Sequence, residues 1–504
     1  MLQEYVKKIL RTRVYDVAVE TPVDRLNFLS KSLENNIFAK REDLQSIFSF
    51  KLRGAYNKIA LLSDDEKKQG IIAASAGNHA QGVALAALRL NIKSVIVMPQ
   101  TTPEIKVRSV KELGSEVILH GDNFDEAFAF SQKLCKEEGY TYIHPYDDPD
   151  VIAGQGSVAM EILRQFQGNL DAVFIPVGGG GLISGMAVYI KYLHPEIKII
   201  GVEAEDSACL KAALQKGEPV TLSDVGVFAD GVAVKRIGEE PFRICKHCVD
   251  EVITVSTDEI CASVKDVFED TRTVPEPSGA LALAGMKKYI KETRVKDKSF
   301  IFVQSGANIN FDRLRHISER TELGENKEAI FGVTIPEIPG SFKTFCRAVG
   351  TLNITEFNYR FADSEDAQVF VGVKLDPDGN EKKKLTDSFR KLGYSVVDMS
   401  DNELAKLHIR YMVGGRSENL EHEKIYRFEF PERPGALLEL LETMGNKWNI
   451  SMFHYRNHGA AFGRVFIGLQ VPESGEKEFE VFLEKINYRY SDENGNPAYT
   501  MFLG

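Results

Sequence analysis

From residue 71 onward, short apolar segments alternate with longer amphipathic segments, and glycine-rich turns connect several of them. The clearest predicted strands are residues 94–98 and 172–177, and the clearest predicted helices are residues 80–90 and 124–138. This alternation predicts parallel sheets with helices on both faces, which is the α/β class. Ligands bind such sheets at the carboxyl ends of the strands, where we expect the glycine-rich turns to lie.

The last third of the chain has a different pattern and contains an internal repeat. The segment FGVTIPEIPG at 331–340 aligns with YRFEFPERPG at 426–435, and NITEFNYR at 353–360 aligns with NISMFHYR at 449–456. Each copy predicts a strand, a Pro-Gly turn, a helix and two further strands, which form a small α+β unit. Duplication that serves only packing is the alternative.

These patterns predict a division of the chain into four segments. An α/β domain covers 1–320. The charged, apolar-poor run 321–328 is predicted to be a linker. The two copies of the repeat then occupy 329–410 and 411–504.

Composition and charge limit the kinds of partner that the protein is expected to bind. The 504 residues are 43% hydrophobic, and a net charge of −11 argues against nucleic acid or an anionic membrane as the main partner. No stretch approaches the ~18 apolar residues of a membrane span. The six cysteines lack the spacing of a disulfide framework, which predicts reduced thiols and a cytoplasmic protein. Cys245 and Cys248 have CxxC spacing without a second ligand pair, so we expect two buried helix cysteines and no metal.

Lys51 is a candidate for chemistry because apolar residues flank it. It lies in the segment SFKLRGA, between Phe50 and Leu52, after a predicted charged loop at 40–43 and before a predicted helix at 56–62. Burial lowers the proton affinity of an ammonium group, and a neutral lysine amine can form a Schiff base. A lysine that only extends along the surface is the alternative.

The most specific segment is a run of glycines that follows a predicted strand and precedes a predicted helix: Gly178, Gly179, Gly180 and Gly181, then Leu182. Bare backbone N–H groups at a helix N-terminus bind anions, and a single phosphate monoester suits this loop. A dinucleotide fold is the competitor, since Glu203 ends the next predicted strand. However, no G-x-G-x-x-G and no GK[ST] can be found in the loop. A turn needed only for close packing is the alternative.

A second turn, Ser75-Ala76-Gly77-Asn78-His79, also opens a predicted helix. The Ser75 hydroxyl and nearby N–H groups can bind a substrate carboxylate, and the Asn78 amide can bond a phenolic oxygen. Ordinary helix capping is the alternative, and His79 is expected to pack or cap.

Two later turns carry further polar groups. Ser305, in the run SGAN after a predicted strand, offers one hydroxyl to a ring nitrogen. The turn PEPSG at 275–279 is rigid and acidic and is expected at the same sheet edge, with a proline-fixed loop as the alternative.

Together these segments resemble the fold-type II pyridoxal-phosphate enzymes, and specifically the biosynthetic threonine ammonia-lyases (threonine deaminases). The resemblance rests on SFKLRGA, SAGNHAQG, GGGGL, PEPSGALALAG and SGAN, and on a repeat similar to ACT-like regulatory domains. It implies a catalytic domain with two parallel-sheet lobes, the small lobe at about 40–150 being inserted in the large lobe, and two α+β ACT-like subdomains. The first two segments are specific to this family, whereas GGGGL and SGAN are common across the fold type.

The resemblance also implies roles for particular residues. Lys51 would hold pyridoxal 5′-phosphate and then act as base at Cα, with Phe50 beside the cofactor. Asn78 would contact the 3′-oxygen, Gly178 to Leu182 would cradle the phosphate, and Ser305 would bond the pyridine nitrogen. The substrate-binding candidates are Ser75, Ala76, Gly77 and His79.

The implied reaction converts L-threonine to 2-oxobutanoate and ammonia, the first step of isoleucine biosynthesis. Racemase relatives carry a serine at the position of Ala76, so we expect negligible racemisation. A dehydratase that prefers L-serine is the alternative, because a pocket discriminates one methyl group by only ~1–3 kcal/mol. An amino-acid sensor on an inactive scaffold is a second alternative, although Lys51 and the glycine run are intact.

Regulation is implied by the repeat. The resemblance predicts isoleucine as inhibitor, valine as opposing effector, and a homotetramer. Tyr359 and Tyr455 occupy matching places in the two copies and are the candidates for the effector sites. Tyrosines that pack between the two copies are the alternative.

Overall fold

The computed structural model describes residues 1–324, 327–336, 341–350, 352, 354–359, 366–376, 380–411, 422–431, 443, 447–456, 462–486 and 488–503. The chain forms two compact units, Met1–Ser318 and Glu319–Gly504. Each unit has its own sheets.

The first unit contains ten strands. In chain order they are β1 (Val23–Arg25), β2 (Asn36–Arg41), β3 (Ile71–Ala74), β4 (Ser94–Met98), β5 (Glu116–Leu119), β6 (Thr141–Tyr142), β7 (Ala172–Pro176), β8 (Lys198–Ala204), β9 (Glu251–Val255) and β10 (Ser299–Gln304). Six of them form a sheet in the order β1-β2-β10-β7-β8-β9, in which only β1 runs antiparallel to its neighbour. The other four form a parallel sheet in the order β5-β4-β3-β6.

Thirteen helices cover these sheets. They are α1 (Leu2–Leu10), α2 (Asn27–Ser32), α3 (Lys51–Ala60), α4 (Asp64–Gln69), α5 (Asn78–Leu90), α6 (Glu104–Glu112), α7 (Phe124–Glu138), α8 (Pro149–Gln165), α9 (Gly181–Leu193), α10 (Cys209–Lys216), α11 (Glu239–Cys248), α12 (Thr257–Thr271) and α13 (Pro277–Thr293). Local signals explain several starts. Asn123 accepts the Glu126 N–H at the start of α7, and Ser256 forms a capping box with Glu259 at the start of α12.

Both faces of the six-stranded sheet are buried. Successive residues of a strand point to opposite faces, so Val173 and Ile175 join one apolar core while Phe174 joins the other. This two-sided burial explains why β7 and β10 are continuous apolar runs, as the α/β class requires. The two-lobed α/β expectation is therefore confirmed.

Two sequence-based expectations near Lys51 are wrong. The predicted charged loop at 40–43 is instead the end of β2 and a short 3₁₀ turn, and Lys40, Arg41, Glu42 and Asp43 are all buried. Charge alone suggests exposure, but here opposite charges pair inside the fold. The helix predicted at 56–62 begins five residues earlier, at Lys51 itself.

The second unit contains two antiparallel sheets of four strands each. Their strands are β11 (Glu328–Pro336), β12 (Ile354–Tyr359), β13 (Asp366–Lys374) and β14 (Ser395–Asp398), then β15 (Glu423–Pro431), β16 (Asn449–Arg456), β17 (Phe462–Gln470) and β18 (Arg489–Asp492). The orders are β12-β13-β11-β14 and β16-β17-β15-β18. The pairing is interrupted at Ile354/Glu356 in one sheet and at Ile450/Met452 in the other, positions that match in the repeat. The predicted duplication is confirmed at the level of strand order and register.

The helices after α13 that lie in the described residues are α14 (Arg313–Gly324), α15 (Ser341–Val349), α16 (Glu381–Lys391), α17 (Glu403–Leu407), α18 (Glu476–Ile486) and α19 (Pro497–Phe502). Helix α14 extends through residues 321–324, where the sequence predicts a linker. Glutamate and leucine favour helices, so a charged, apolar-poor run need not be irregular. Within the described part of the chain, no helix is both long and apolar enough to cross a membrane.

Candidate active site

Lys51 is the first residue of α3 and lies at the carboxyl edge of the large sheet. Backbone hydrogen bonds join its segment to the turn after β10. The Phe50 N–H donates to the Ser305 carbonyl oxygen at 3.3 Å, and the Ala307 N–H donates to the Phe48 carbonyl oxygen at 2.9 Å. Lys51 Nζ donates to the Pro145 carbonyl oxygen at 3.2 Å and lies 5.3 Å from the centre of the Phe50 ring. Burial lowers the pKa of Lys51 to about 8, although the Glu276 carboxyl opposes that change. The amine is therefore far easier to deprotonate than a surface lysine.

The turn after β3 presents Asn78 at the start of α5. Its amide is held on both sides, since Nδ2 donates to Glu276 Oε1 and Oδ1 accepts from Asn308 Nδ2, each at 2.7 Å. The Gly77 N–H donates to Ser75 Oγ at 3.2 Å, and a Cβ on Gly77 would meet no atom within 4 Å. This turn is thus ordered and borders open space.

The glycine run follows β7 and begins α9, as the sequence predicts. The first N–H groups of a helix have no partner within that helix, and Gly180 has φ +92°, a conformation that favours glycine. The run is also closely packed, because a Cβ on Gly179 would lie 2.2 Å from the Tyr146 ring and one on Gly178 would lie 2.9 Å from Val232. Close packing therefore explains why these residues are glycines, and it leaves the N–H groups available to bind an anion.

The loop between β6 and α8 connects Lys51 with the glycine run. Its Pro145 oxygen accepts from Lys51, and the next side chain, Tyr146, lies against Gly179. His144 Nδ1 accepts the N–H groups of Tyr146 at 3.3 Å and Asp147 at 2.8 Å, which holds the loop in this shape. Sequence reasoning missed this loop, for which the alternating aromatic residues Tyr142, His144 and Tyr146 around Pro145 were the available signal.

Ser305 and Glu276 occupy the same sheet edge. The buried Ser305 hydroxyl donates to the Ser278 carbonyl at 3.2 Å, and Glu276 precedes α13 with a carboxyl that accepts from both Asn78 and Ser278. The turn at 275–279 follows a helix rather than a strand, but its contact with Asn78 places it in the site. The sequence identified this turn without finding its partner.

Two other candidates have structural partners. The buried His79 ring lies with Nε2 2.9 Å from the Ile143 oxygen, and burial, with a smaller contribution from Lys51, lowers the pKa of His79 to about 3. Since a carbonyl only accepts, the neutral ring donates from Nε2. Glu203, the possible ribose ligand, accepts the N–H groups of Leu210 at 2.7 Å and Lys211 at 2.9 Å.

Cys245 and Cys248 are buried in α11, as expected. Among the side chains that the structure describes, no three of His, Cys, Asp or Glu are grouped as a metal would need. Tyr359 pairs with Val369, and Tyr455 pairs with Val465, at matching positions of β12 and β16. The side chains of both tyrosines lie outside the described residues.

Comparison with known proteins identifies the family. Residues 14–306 match the family model described as "Pyridoxal-phosphate dependent enzyme". The chain belongs to this family. Residues 319–409 and 414–503 both match the model of the "C-terminal regulatory domain of Threonine dehydratase", so this family member carries two copies of that domain. The family resemblance and the cofactor expected from the sequence are confirmed.

Two relatives match this pyridoxal-phosphate enzyme along nearly its whole length. The L-threonine dehydratase biosynthetic IlvA of Salmonella typhimurium is 55% identical over 500 residues, which cover 99% of this chain and 97% of the relative. The mitochondrial threonine dehydratase of Saccharomyces cerevisiae is 51% identical over 514 residues, which cover 99% of this chain and 89% of the relative.

Solved structures match about three fifths of the chain. The processed form of threonine deaminase isoform 2 from Solanum lycopersicum superposes with a TM-score of 0.62 and 48% identity, covering 63% of this chain and 93% of that one. Serine racemase from Dictyostelium discoideum superposes with a TM-score of 0.56 and 30% identity, covering 62% of this chain and 99% of that one.

The residues at the sheet edge fit pyridoxal phosphate by their chemistry. The aldehyde of the cofactor requires an amine with a lowered pKa, and its phosphate requires a helix start rich in bare N–H groups. Its phenolic oxygen requires a carboxamide, and its ring nitrogen requires a neutral hydroxyl. Direct contacts also link them, from Lys51 through the loop at 144–147 to Gly179, and from Asn78 through the turn at 275–279 to Ser305.

Proposed function

We propose that this enzyme converts L-threonine to 2-oxobutanoate and ammonia, the first step of isoleucine biosynthesis. The observation that carries the proposal is the Lys51 amine, whose pKa is lowered to about 8 by burial and which donates to Pro145 in the loop at 144–147. Identity above 50% to threonine dehydratases over 99% of the chain supports threonine as substrate. The serine-preferring alternative is not favoured by these relatives, and an inactive sensor is not favoured by the complete set of site groups.

The protein's own residues account for binding and proton transfer. When bound, pyridoxal phosphate supplies a carbonyl carbon that condenses with amines and a ring that withdraws electrons from Cα. Lys51 Nζ holds the cofactor and later accepts the Cα proton of the substrate, for which a pKa near 8 is suitable. The β-hydroxyl then leaves as water. Hydrolysis takes up one water molecule, whose oxygen replaces the nitrogen at Cα. The atoms of threonine are therefore all found in 2-oxobutanoate and ammonia.

The remaining residues bind and orient. The N–H groups of Gly178 to Leu182 hold the phosphate, and Asn78 donates to the phenolic oxygen. The Ser305 hydroxyl, which donates to the Ser278 carbonyl, would be the partner of the ring nitrogen, and as a neutral group it would leave that nitrogen unprotonated. The turn formed by Ser75, Ala76 and Gly77 borders open space and receives the substrate carboxylate. Phe50 lies beside the Lys51 amine, and His79 supports the turn through Ile143.

The experiment combines absorbance with turnover. The parent protein loaded with pyridoxal phosphate is expected to show a visible band from the lysine-linked cofactor and to release 2-oxobutanoate from L-threonine. Lys51→Ala should lose both, whereas Lys68→Ala, at a side chain that is 78% exposed, should lose neither. A Lys51→Ala protein with parental turnover would contradict the proposal. A parent that processes L-serine but not L-threonine would support the alternative substrate.

The same proposal covers regulation. We propose that isoleucine inhibits the enzyme through the second unit, that valine opposes it, and that the enzyme is a cytoplasmic homotetramer. The two matches to the regulatory-domain model support this assignment. In the full chain, Tyr359→Phe and Tyr455→Phe should raise the isoleucine concentration for half inhibition, while Tyr192→Phe in the first unit should not. Rates indifferent to isoleucine would refute the regulatory assignment, and light scattering tests the tetramer.

A further inference from the structure

A chain of hydrogen bonds crosses the sheet edge between four segments. Asn308 Nδ2 donates to the Ile47 carbonyl oxygen at 2.7 Å and to Asn78 Oδ1 at 2.7 Å. Asn78 Nδ2 donates to Glu276 Oε1 at 2.7 Å, and the Ser278 hydroxyl donates to the same oxygen at 2.7 Å. These bonds end at the Glu276 carboxyl group, which takes no part in the binding and proton-transfer roles proposed for the other residues.

Which atom donates and which accepts, in each bond from Ile47 to Glu276, follows from the bond between Asn308 and the Ile47 carbonyl. The oxygen and nitrogen of an amide are distinguished only by their partners. A backbone carbonyl can only accept, so Asn308 must present its NH₂ group to Ile47. The same NH₂ group reaches Asn78, which must therefore turn its oxygen towards Asn308 and its own NH₂ group towards Glu276. Glu276 consequently receives a donor, as a carboxylate oxygen requires.

The surroundings of Glu276 are built to hold a carboxyl group. The residue is 4% exposed, and two glycines make room for Oε1, since a Cβ on Gly306 would lie 2.8 Å from it and a Cβ on Gly231 would lie 3.3 Å away. A buried polar group in such a place is costly unless it is hydrogen-bonded. Its bonds to Asn78 and Ser278 meet that need, and they leave Asn78 with one uncommitted Nδ2 hydrogen.

We propose that Glu276 is a positioning residue, which fixes the orientation of the Asn78 amide so that its second Nδ2 hydrogen serves the phenolic oxygen of the cofactor. The inference rests on the proposed function, because it needs pyridoxal phosphate at this site. Without Glu276, the bond from Asn308 to Asn78 Oδ1 still sets which way the amide faces, but the Asn78 NH₂ group loses the acceptor that holds its position. Glu276 acts through Asn78 and does not itself contact the reacting atoms.

The test uses two readouts other than turnover: the affinity for pyridoxal phosphate and the pH dependence of its visible absorbance. Glu276→Met preserves bulk but removes the acceptor, and should weaken cofactor affinity by roughly 5- to 30-fold while shifting the absorbance titration. Glu276→Gln still presents an oxygen to Asn78 and Ser278 and should stay within about twofold of the parent. Glu259→Gln, at the start of α12, is the matched control and should behave as the parent.

A double-variant cycle separates positioning from general damage. If Glu276 acts through Asn78, the combination of Asn78→Ala with Glu276→Met should be no worse than Asn78→Ala alone. Full additivity of the two losses, or a Glu276→Met protein with parental affinity and absorbance, would overturn the proposal. Should Glu276→Met fail to fold, Glu276→Asp withdraws the acceptor by one methylene and should shift both readouts in the same direction. A parent without Lys51-dependent absorbance would instead refute the proposed function.

Discussion

Arg53 donates two hydrogen bonds to Glu161, of 2.6 and 3.0 Å, and both side chains are fully buried. The bonds join α3 to α8 two residues after Lys51. On its other side Arg53 meets Glu42 at 2.8 Å, and Glu161 also receives Lys40 at 2.6 Å, so two cations and two carboxylates balance inside the fold. This cluster anchors the helix that begins at the proposed catalytic lysine.

Removal of Arg53 should therefore be severe. In Arg53→Met, Glu42 and Glu161 lose their main partner while buried, and the free energy of unfolding should fall by about 3–5 kcal/mol. Arg13→Met is the control, because the Arg13–Asp16 pair is exposed and should contribute less than about 1 kcal/mol. Urea unfolding of both variants measures the difference. Equal losses would show that the buried cluster is not what stabilises this region.

The Lys51 amine should have a distinct pH dependence. A lysine condenses with an aldehyde only when neutral, and the lowered pKa of about 8 makes Lys51 neutral above that pH. The rate at which cofactor-free protein captures pyridoxal phosphate should rise with pH through about 8 and then level off. An unperturbed lysine would level off only above about pH 10.4. Stopped-flow absorbance across this range decides between the two midpoints.

The contact between Gly179 and Tyr146 predicts a rescue. Gly179→Ala would place a Cβ 2.2 Å from the ring, so the loop must shift and cofactor affinity should fall by roughly 5- to 100-fold. Adding Tyr146→Ala removes the clash and should recover part of the loss. Gly495→Ala, whose Cβ would meet no atom within 4 Å, is the control. If Tyr146→Ala gave no recovery, the loss would lie in the backbone of the glycine run instead.

Ala76 should limit the enzyme to elimination. Alanine has no proton to give to the opposite face of Cα, so L-serine should be deaminated with negligible formation of D-serine. Ala76→Ser supplies a hydroxyl at that position and should raise D-serine formation, measured by chiral chromatography. D-serine released by the parent at a rate comparable with deamination would contradict the assignment of Ala76.

Local pattern was sufficient for much of the fold. The strand Ser94–Met98 and the helix Phe124–Glu138 have the bounds that the sequence predicts, because β-branched apolar residues and a capped amphipathic run each favour one backbone conformation. Aligned copies were also enough to predict the repeated sheets. Lys51, Asn78, the glycine run and Ser305 could be nominated because each lies beside a turn whose chemistry is local.

Contacts between distant segments were not predictable in the same way. The sequence by itself determined the α/β class, the repeat within the second unit and the candidate residues, since these depend on spacing along the chain. Only the tertiary structure decided that Lys40 and Glu42 are buried, that Tyr146 lies on Gly179, and that Glu276 meets Asn78, 198 positions away. A charged residue is stable inside a protein only with a partner, and the fold alone determines which partner is near.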